Sequence, residues 1–128
     1  MNSPRILFTH AAIFNCSIGF GILFAYQFLF GLIGMAPIPS NPLFLHLFAG
    51  IVVIFGIGYY WVSRDLQNNI AVVKMGIIGK LTVFGLVLGH FIAGNVTWHL
   101  MAIASMDFVY ALLFMSALKK HQGISALT

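Results

Sequence analysis

The stretch "GIIGKLTVFGLVLGHFIAGN", Gly76 to Asn95, decides how this chain is read. It is long and apolar enough to cross a bilayer, whose core takes about 20 apolar residues per helix, yet it carries Lys80 and His90. Three more stretches of the same kind accompany it. The four spans run roughly from Ala11 to Gly34, Leu43 to Val62, Met75 to Ala93 and Trp98 to Leu118. Of the 128 residues, 61% are hydrophobic and only 6% charged. A soluble domain carries about 25% charged residues, so this composition cannot cover a water-facing surface. The reading is an all-α membrane protein with one four-helix transmembrane domain over residues 1–128, and with little chain left for a soluble domain, linker or tail.

Arg5 ahead of an apolar run resembles the start of a signal peptide. The run is longer than a signal h-region of about 7 to 15 residues, and the small-x-small site Gly34-Met35-Ala36 is followed by Pro37, so an uncleaved helix is expected. Cys16 is the single cysteine. Disulfide frameworks, CxxC redox chemistry and cysteine zinc sites are therefore excluded within one chain.

The basic residues set the expected orientation. Arg5, Arg64, Lys74, Lys80, Lys119 and Lys120 fall at the N-terminus, around the second connection or at the C-terminus, and the first and third connections carry none. By the positive-inside rule both termini and the loop from Ser63 to Val72 are cytoplasmic, in the inner membrane of a cell. Tyr59, Tyr60 and Trp61 then belong to the inner interface and Trp98 to the outer one. The net charge of +4 is a topology signal, with contact to anionic lipid as a secondary effect, and needs no nucleic acid to explain it.

The connections are short: "MAPIPSNP", "SRDLQNNIAVVK" and "GNVT". Short connections force antiparallel neighbours, hence an up-down-up-down bundle. Thirteen glycines suit it, because small residues let membrane helices approach closely. On the third helix Gly85 and Gly89 share a face with Thr82, and Gly76, Gly79, Lys80, His90 and Gly94 lie on roughly the opposite face. Both faces are expected to pack, which puts this helix in the interior or against another subunit. "HLFA" at His46 and "HLMA" at His99 hint at a duplicated hairpin, although four residues are little in so apolar a chain.

Asp107 is the sharpest chemical signal, since an aspartate near the bilayer centre costs on the order of 3 kcal/mol on insertion scales. Lys80 enters the third helix from the cytoplasmic side, about 8 Å deep by the helical rise, and a Lys80–Asp107 pair would neutralise both. Alternatively Lys80 snorkels to the headgroups and Asp107 is protonated or bonded to a serine or tyrosine. Asn15 and Tyr110 could join them in a small polar pocket opening toward "RDLQNN", with Arg64, Asp65 and Asn68 as its rim. The plainer reading is hydrogen bonding that only holds the helices, at about 0.6 kcal/mol per bond.

His46, His90 and His99, from three helices, fall in the outer third of the bundle. Facing imidazoles are what a b-type haem, copper or zinc would need, with Met101 as a soft ligand, and a quinone headgroup could use one of them. There is no HExxH and no HxxxH pair on one helix. GxSxG, P-loop and dinucleotide fingerprints are also missing. Asp65 and Asp107 are the only carboxylate side chains and lie at different depths, which argues against paired-carboxylate catalysis.

"RD" with Asn68, "GIIGK" opening the third helix, and Asp107 followed by "YALLF" resemble the small bacterial four-helix membrane proteins called DoxX-like. That resemblance implies a four-helix bundle, with links in some members to quinone-dependent oxidation or thiol partners. The thiol branch would need cysteines that this chain lacks. Three functional readings follow: a non-catalytic binding or accessory subunit assembled with itself or a larger complex, a quinone- or haem-linked redox protein using the outer histidines, and a proton- or solute-coupled transporter using Lys80 and Asp107.

Overall fold

Every backbone N–H and C=O in hydrocarbon must be paired within the protein, and a long apolar segment achieves that as a helix. The computed structural model describes residues 3–127. They form α1 (Ser3–Leu32), α2 (Leu43–Arg64), α3 (Ile70–Ile92) and α4 (Trp98–Leu127), with one 3₁₀ turn at Gln67–Asn69 ahead of α3. All four helices are long and apolar enough to cross a membrane. Each overruns at one end the apolar window read from the sequence, α2 only from Val62 to Arg64. α1 begins at Ser3 rather than Ala11, α3 at Ile70 rather than Met75, and α4 continues to Leu127 rather than Leu118. Helical hydrogen bonding does not stop where hydrocarbon stops, and Pro4 sits in the first turn of α1, where its missing N–H costs nothing. The α1 helix is interrupted once, by non-helical angles at Ala25.

Helix ends follow from local chemistry. Gly34 adopts φ +67° and Gly94 φ +81°, a left-handed conformation that favours glycine. At the first, Gly34 N donates to Gly31 O and Met35 N to Phe30 O; at the second, Gly94 N donates to Phe91 O and Asn95 N to His90 O. Both are Schellman caps, and they end α1 and α3 by the same device. Pro37, Pro39 and Pro42 are confined to the connection that follows α1. At the other end Asp65 terminates α2 and organises the turn into α3: Asn68 donates to it from Nδ2 (2.7 Å) and from its backbone N (3.2 Å), and Asn69 Nδ2 donates to its carbonyl (2.7 Å).

Packing is tightest within the hairpin of α1 and α2. A side chain at Gly56 would collide with Cys16 and Asn15, and one at Gly19 with Val53 and the Ala49 carbonyl. As residue numbers rise along α1 they fall along α2, so the two helices run in opposite directions. The same holds between α2 and α3, where Tyr59 lies against Gly76 and Phe55 near Gly79. Much of the interior is small: Ala11, Ala12, Ala49, Ala104, Ala111 and Ala117 are all buried. The large apolar side chains point outward instead, with Phe24, Phe28, Phe44 and Ile92 mostly exposed. Such a surface suits lipid, where helices associate through close packing rather than by removing apolar area from water.

One layer of the core is built from large rings. Phe8 stacks on Phe114 with centroids 4.5 Å apart, and Tyr59 meets Phe114 edge-on at 5.1 Å. Tyr59 was expected at a membrane interface beside Tyr60 and Trp61, but it is 1% exposed whereas the other two are open. Its position follows from Gly76, whose missing side chain leaves the space that the Tyr59 ring fills.

Candidate functional site

Lys80 stands in the middle of α3, ten residues from Ile70 and so about 15 Å from the helix start. It lies further along the helix than the sequence suggested, because α3 begins five residues earlier than expected. Gly76, Gly79 and Lys80 share the inward face, and the lysine side chain is 5% exposed. It does not snorkel. Its Nζ donates to Asp107 Oδ1 at 2.7 Å and to Asn15 Oδ1 at 3.1 Å. Among the described residues Lys80–Asp107 is the only ion pair.

Asn15 extends the network to the remaining helix. Its Nδ2 donates to the Val52 carbonyl at 3.2 Å, an approach made possible by Gly56 one turn further along α2. Lysine can only donate and a carbonyl can only accept, so one orientation of the Asn15 amide satisfies both partners. The chain of bonds Asp107, Lys80, Asn15 and Val52 thus passes through α4, α3, α1 and α2. Three ring faces surround the ammonium: Tyr110, Phe14 and Tyr59 have centroids 5.0, 5.4 and 5.5 Å from Nζ. A cation over an aromatic face is attracted by the ring quadrupole.

Asp107 is less enclosed, with a side chain 17% exposed. It is bonded through Oδ1, and its second oxygen has no hydrogen-bond partner among the described residues. A cavity of about 140 Å³ adjoins it, with Asn15, Lys80 and Asp107 as polar wall and Ile18, Val83 and Ile103 among its apolar lining. A void of that size takes a six-membered ring.

The pocket expected from sequence is therefore partly assembled and differently placed. Asn15, Lys80 and Asp107 come together. Tyr110 joins through its ring face and not through a hydrogen bond from its hydroxyl. Arg64, Asp65 and Asn68 do not form a rim. The layer of Phe8, Tyr59 and Phe114 lies between Lys80 and the connection that carries them, so the cavity extends the other way, toward Phe48 and Ile51. Hydrogen bonds from the Asn68 side chain and backbone hold the Asp65 carboxyl below the usual carboxylate range.

The three outer histidines do not converge. His46 packs edge-on against Tyr26, His99 stacks on Trp98, and His90 Nδ1 pairs with Asn95 Nδ2 at 3.1 Å. Among the described residues no three His, Cys, Asp or Glu side chains are grouped as a metal would require. His90 lies near the cap of α3 on an exposed surface, whereas ring nitrogens of His46 and His99 are buried. His46 Nε2 and His99 Nδ1 are buried without a hydrogen-bond partner among the described residues.

Sequence reasoning missed Gly56, Val52 and the Phe14 and Tyr59 rings. The spacing Val52, Phe55, Gly56, Tyr59 marks one face of α2 and was the available signal. No protein-family model, curated protein or solved structure matches the chain.

Proposed function

We propose that this is a multi-pass protein of the inner membrane, an up-down-up-down bundle with both termini cytoplasmic, that works as a non-catalytic binding or accessory subunit. Its ligand is a small apolar molecule with a ring-sized head that bears a hydroxyl or amine. One observation carries this reading: the second oxygen of Asp107 has no partner among the described residues and stands beside a cavity of about 140 Å³ whose walls are otherwise largely apolar. An unmet acceptor at that depth favours a donor brought by a ligand. Lys80 and Asn15 hold the carboxylate in place and supply its countercharge. Among the described residues Lys80 is the only hydrogen-bond partner of the Asp107 carboxylate, so no histidine or second carboxyl is bonded to it to share acid–base work, which favours binding over catalysis. Transport along the bundle axis is disfavoured by the Phe8, Tyr59 and Phe114 layer, which closes the end nearest the termini.

The test is organic extraction and mass spectrometry of detergent-purified protein, compared with Asp107→Asn. A hydroxyl- or amine-bearing molecule near one per chain, lost in a variant that stays helical and monodisperse, supports the reading. Extracts that hold only membrane lipid in both proteins, with no such molecule bound on addition of hydroxyl-bearing ring compounds, overturn it.

A further inference from the structure

The basic residues at the end that carries the termini are placed more specifically than a topology signal needs. Arg5 of α1, Arg64 of α2, and Lys120 and His121 of α4 line one recess of about 340 Å³. The positive-inside bias works through charge near span ends and demands no convergence. Here four basic side chains from three helices face a common space. Among the described residues no carboxylate lines it. The chain has two acidic side chains: Asp107 is bonded to Lys80, and Asp65 accepts from Asn68. The recess thus concentrates like charge that an anion with several oxygens would relieve, and guanidinium groups bind phosphate oxygens through paired N–H donors.

A second cavity joins the first. A groove of about 570 Å³ runs between α1 and α4, walled by Ile6, Leu7, Met106, Val109 and Leu113. It meets the recess at Pro4, Ala117 and Lys120, which line both. An apolar channel that ends in a cationic recess matches an acyl chain followed by an anionic headgroup. A free phosphate ion would use the recess and leave the groove unexplained.

We propose that these two cavities together form a binding site for an anionic phospholipid, with the phosphate among Arg5, Arg64, Lys120 and His121 and an acyl chain between α1 and α4. Basic pockets between helix ends on the cytoplasmic side suit such headgroups. The site is separate from the Asp107 cavity and does not depend on it.

Native mass spectrometry of the full chain in neutral detergent tests this, with phosphatidylglycerol and phosphatidylcholine of identical chains added separately and inorganic phosphate as a third arm. Phosphatidylglycerol should be retained over phosphatidylcholine. Arg64→Gln and Lys120→Gln should each lower that retention about fivefold, while Arg64→Lys keeps most of it. Both side chains are exposed, so neither change threatens folding. Leu113→Trp, which fills the groove, should lower lipid retention without using the charged recess. Equal retention of the two lipids, or retention unaffected by the charge variants, overturns the proposal. So does displacement of the lipid by millimolar inorganic phosphate together with an unaffected Leu113→Trp, which would make the recess an ion site only.

Discussion

Lys80 and Asp107 lie 27 residues apart in sequence, and their Nζ and Oδ1 atoms are 2.7 Å apart in the interior of the bundle. Neither charge is tolerable there alone, and each is the other's only ionic partner among the described residues. Stranding one charge of a buried pair costs about 3–5 kcal/mol, whereas replacing both by apolar groups of similar volume is often neutral. Asp107→Leu is expected to destabilise more than Lys80→Met, because it strands Lys80, the more buried of the two charges. The double variant should recover most of the loss. Thermal unfolding in detergent of the four proteins closes the cycle, and additive single effects would show that the pair is not coupled.

A second prediction concerns Tyr59 and Gly76. A Cβ at Gly76 would stand 2.7 Å from Tyr59 Cε1 and 2.8 Å from its hydroxyl oxygen. The ring cannot retreat freely, since it packs on Phe114 at 5.1 Å and on Phe8 at 6.3 Å. Gly76→Ala should therefore cost about 1–3 kcal/mol, as overpacking does. Gly85→Ala meets open space and should stay within about 0.5 kcal/mol of the parent. The same unfolding assay reads both, and equal effects would contradict the placement of Tyr59 in the core.

What the sequence revealed and what it hid divide along physical lines. Four spans, their order and the isolation of Lys80 and Asp107 were legible, because hydropathy and charge are properties of the residues themselves. The pairing of those two charges was legible as a possibility, since α3 and α4 are joined by only a few residues. Other features depended on where a neighbour lacks a side chain. Asn15 reaches Val52 because of Gly56, and Tyr59 turns inward because of Gly76. Periodicity marks the α2 face that carries Val52, Gly56 and Tyr59, but it does not say which residue of a neighbouring helix each one meets. The direction of the cavity was hidden for the same reason, since it is set by three rings, Phe8, Tyr59 and Phe114, brought together from three helices.

The connection between α2 and α3 gives a pH prediction. Asp65 is fully exposed, and its pKa is lowered by the Asn68 side-chain bond first and by the Asn68 backbone N–H second. A carboxyl with a depressed folded pKa stabilises its turn above the unfolded pKa, and that contribution is lost as pH falls through the folded value. The turn at Gln67–Asn69 should thus keep its order at neutral pH and lose it below the usual carboxylate range. Exchange of the Asn68 amide, followed across acid pH by NMR in micelles, would show this. Asp65→Ala should exchange fast at every pH, and a wild-type profile in that variant would remove Asp65 as the cause.

Self-association is expected through the outward face of α3. Thr82, Gly85 and Gly89 share that face, and a Cβ at Gly85 or at Gly89 would meet nothing within 4 Å. Two glycines four residues apart on an apolar helix let a second helix approach backbone to backbone, and packing rather than water exclusion drives that contact in lipid. A bundle that needed this face internally would have filled it, as it filled the space beside Gly76. Replacing Gly85 and Gly89 together by leucine adds bulk where the bundle has room, so the monomer should keep its fold and stability. Its pairing in bilayers should weaken by about tenfold or more, which corresponds to about 1.4 kcal/mol. Energy transfer between labelled chains at varied protein-to-lipid ratio measures it. An unchanged dimer fraction in the leucine variant would move the contact to another helix, and a parent protein that stays monomeric at all ratios would remove self-assembly from the functional reading.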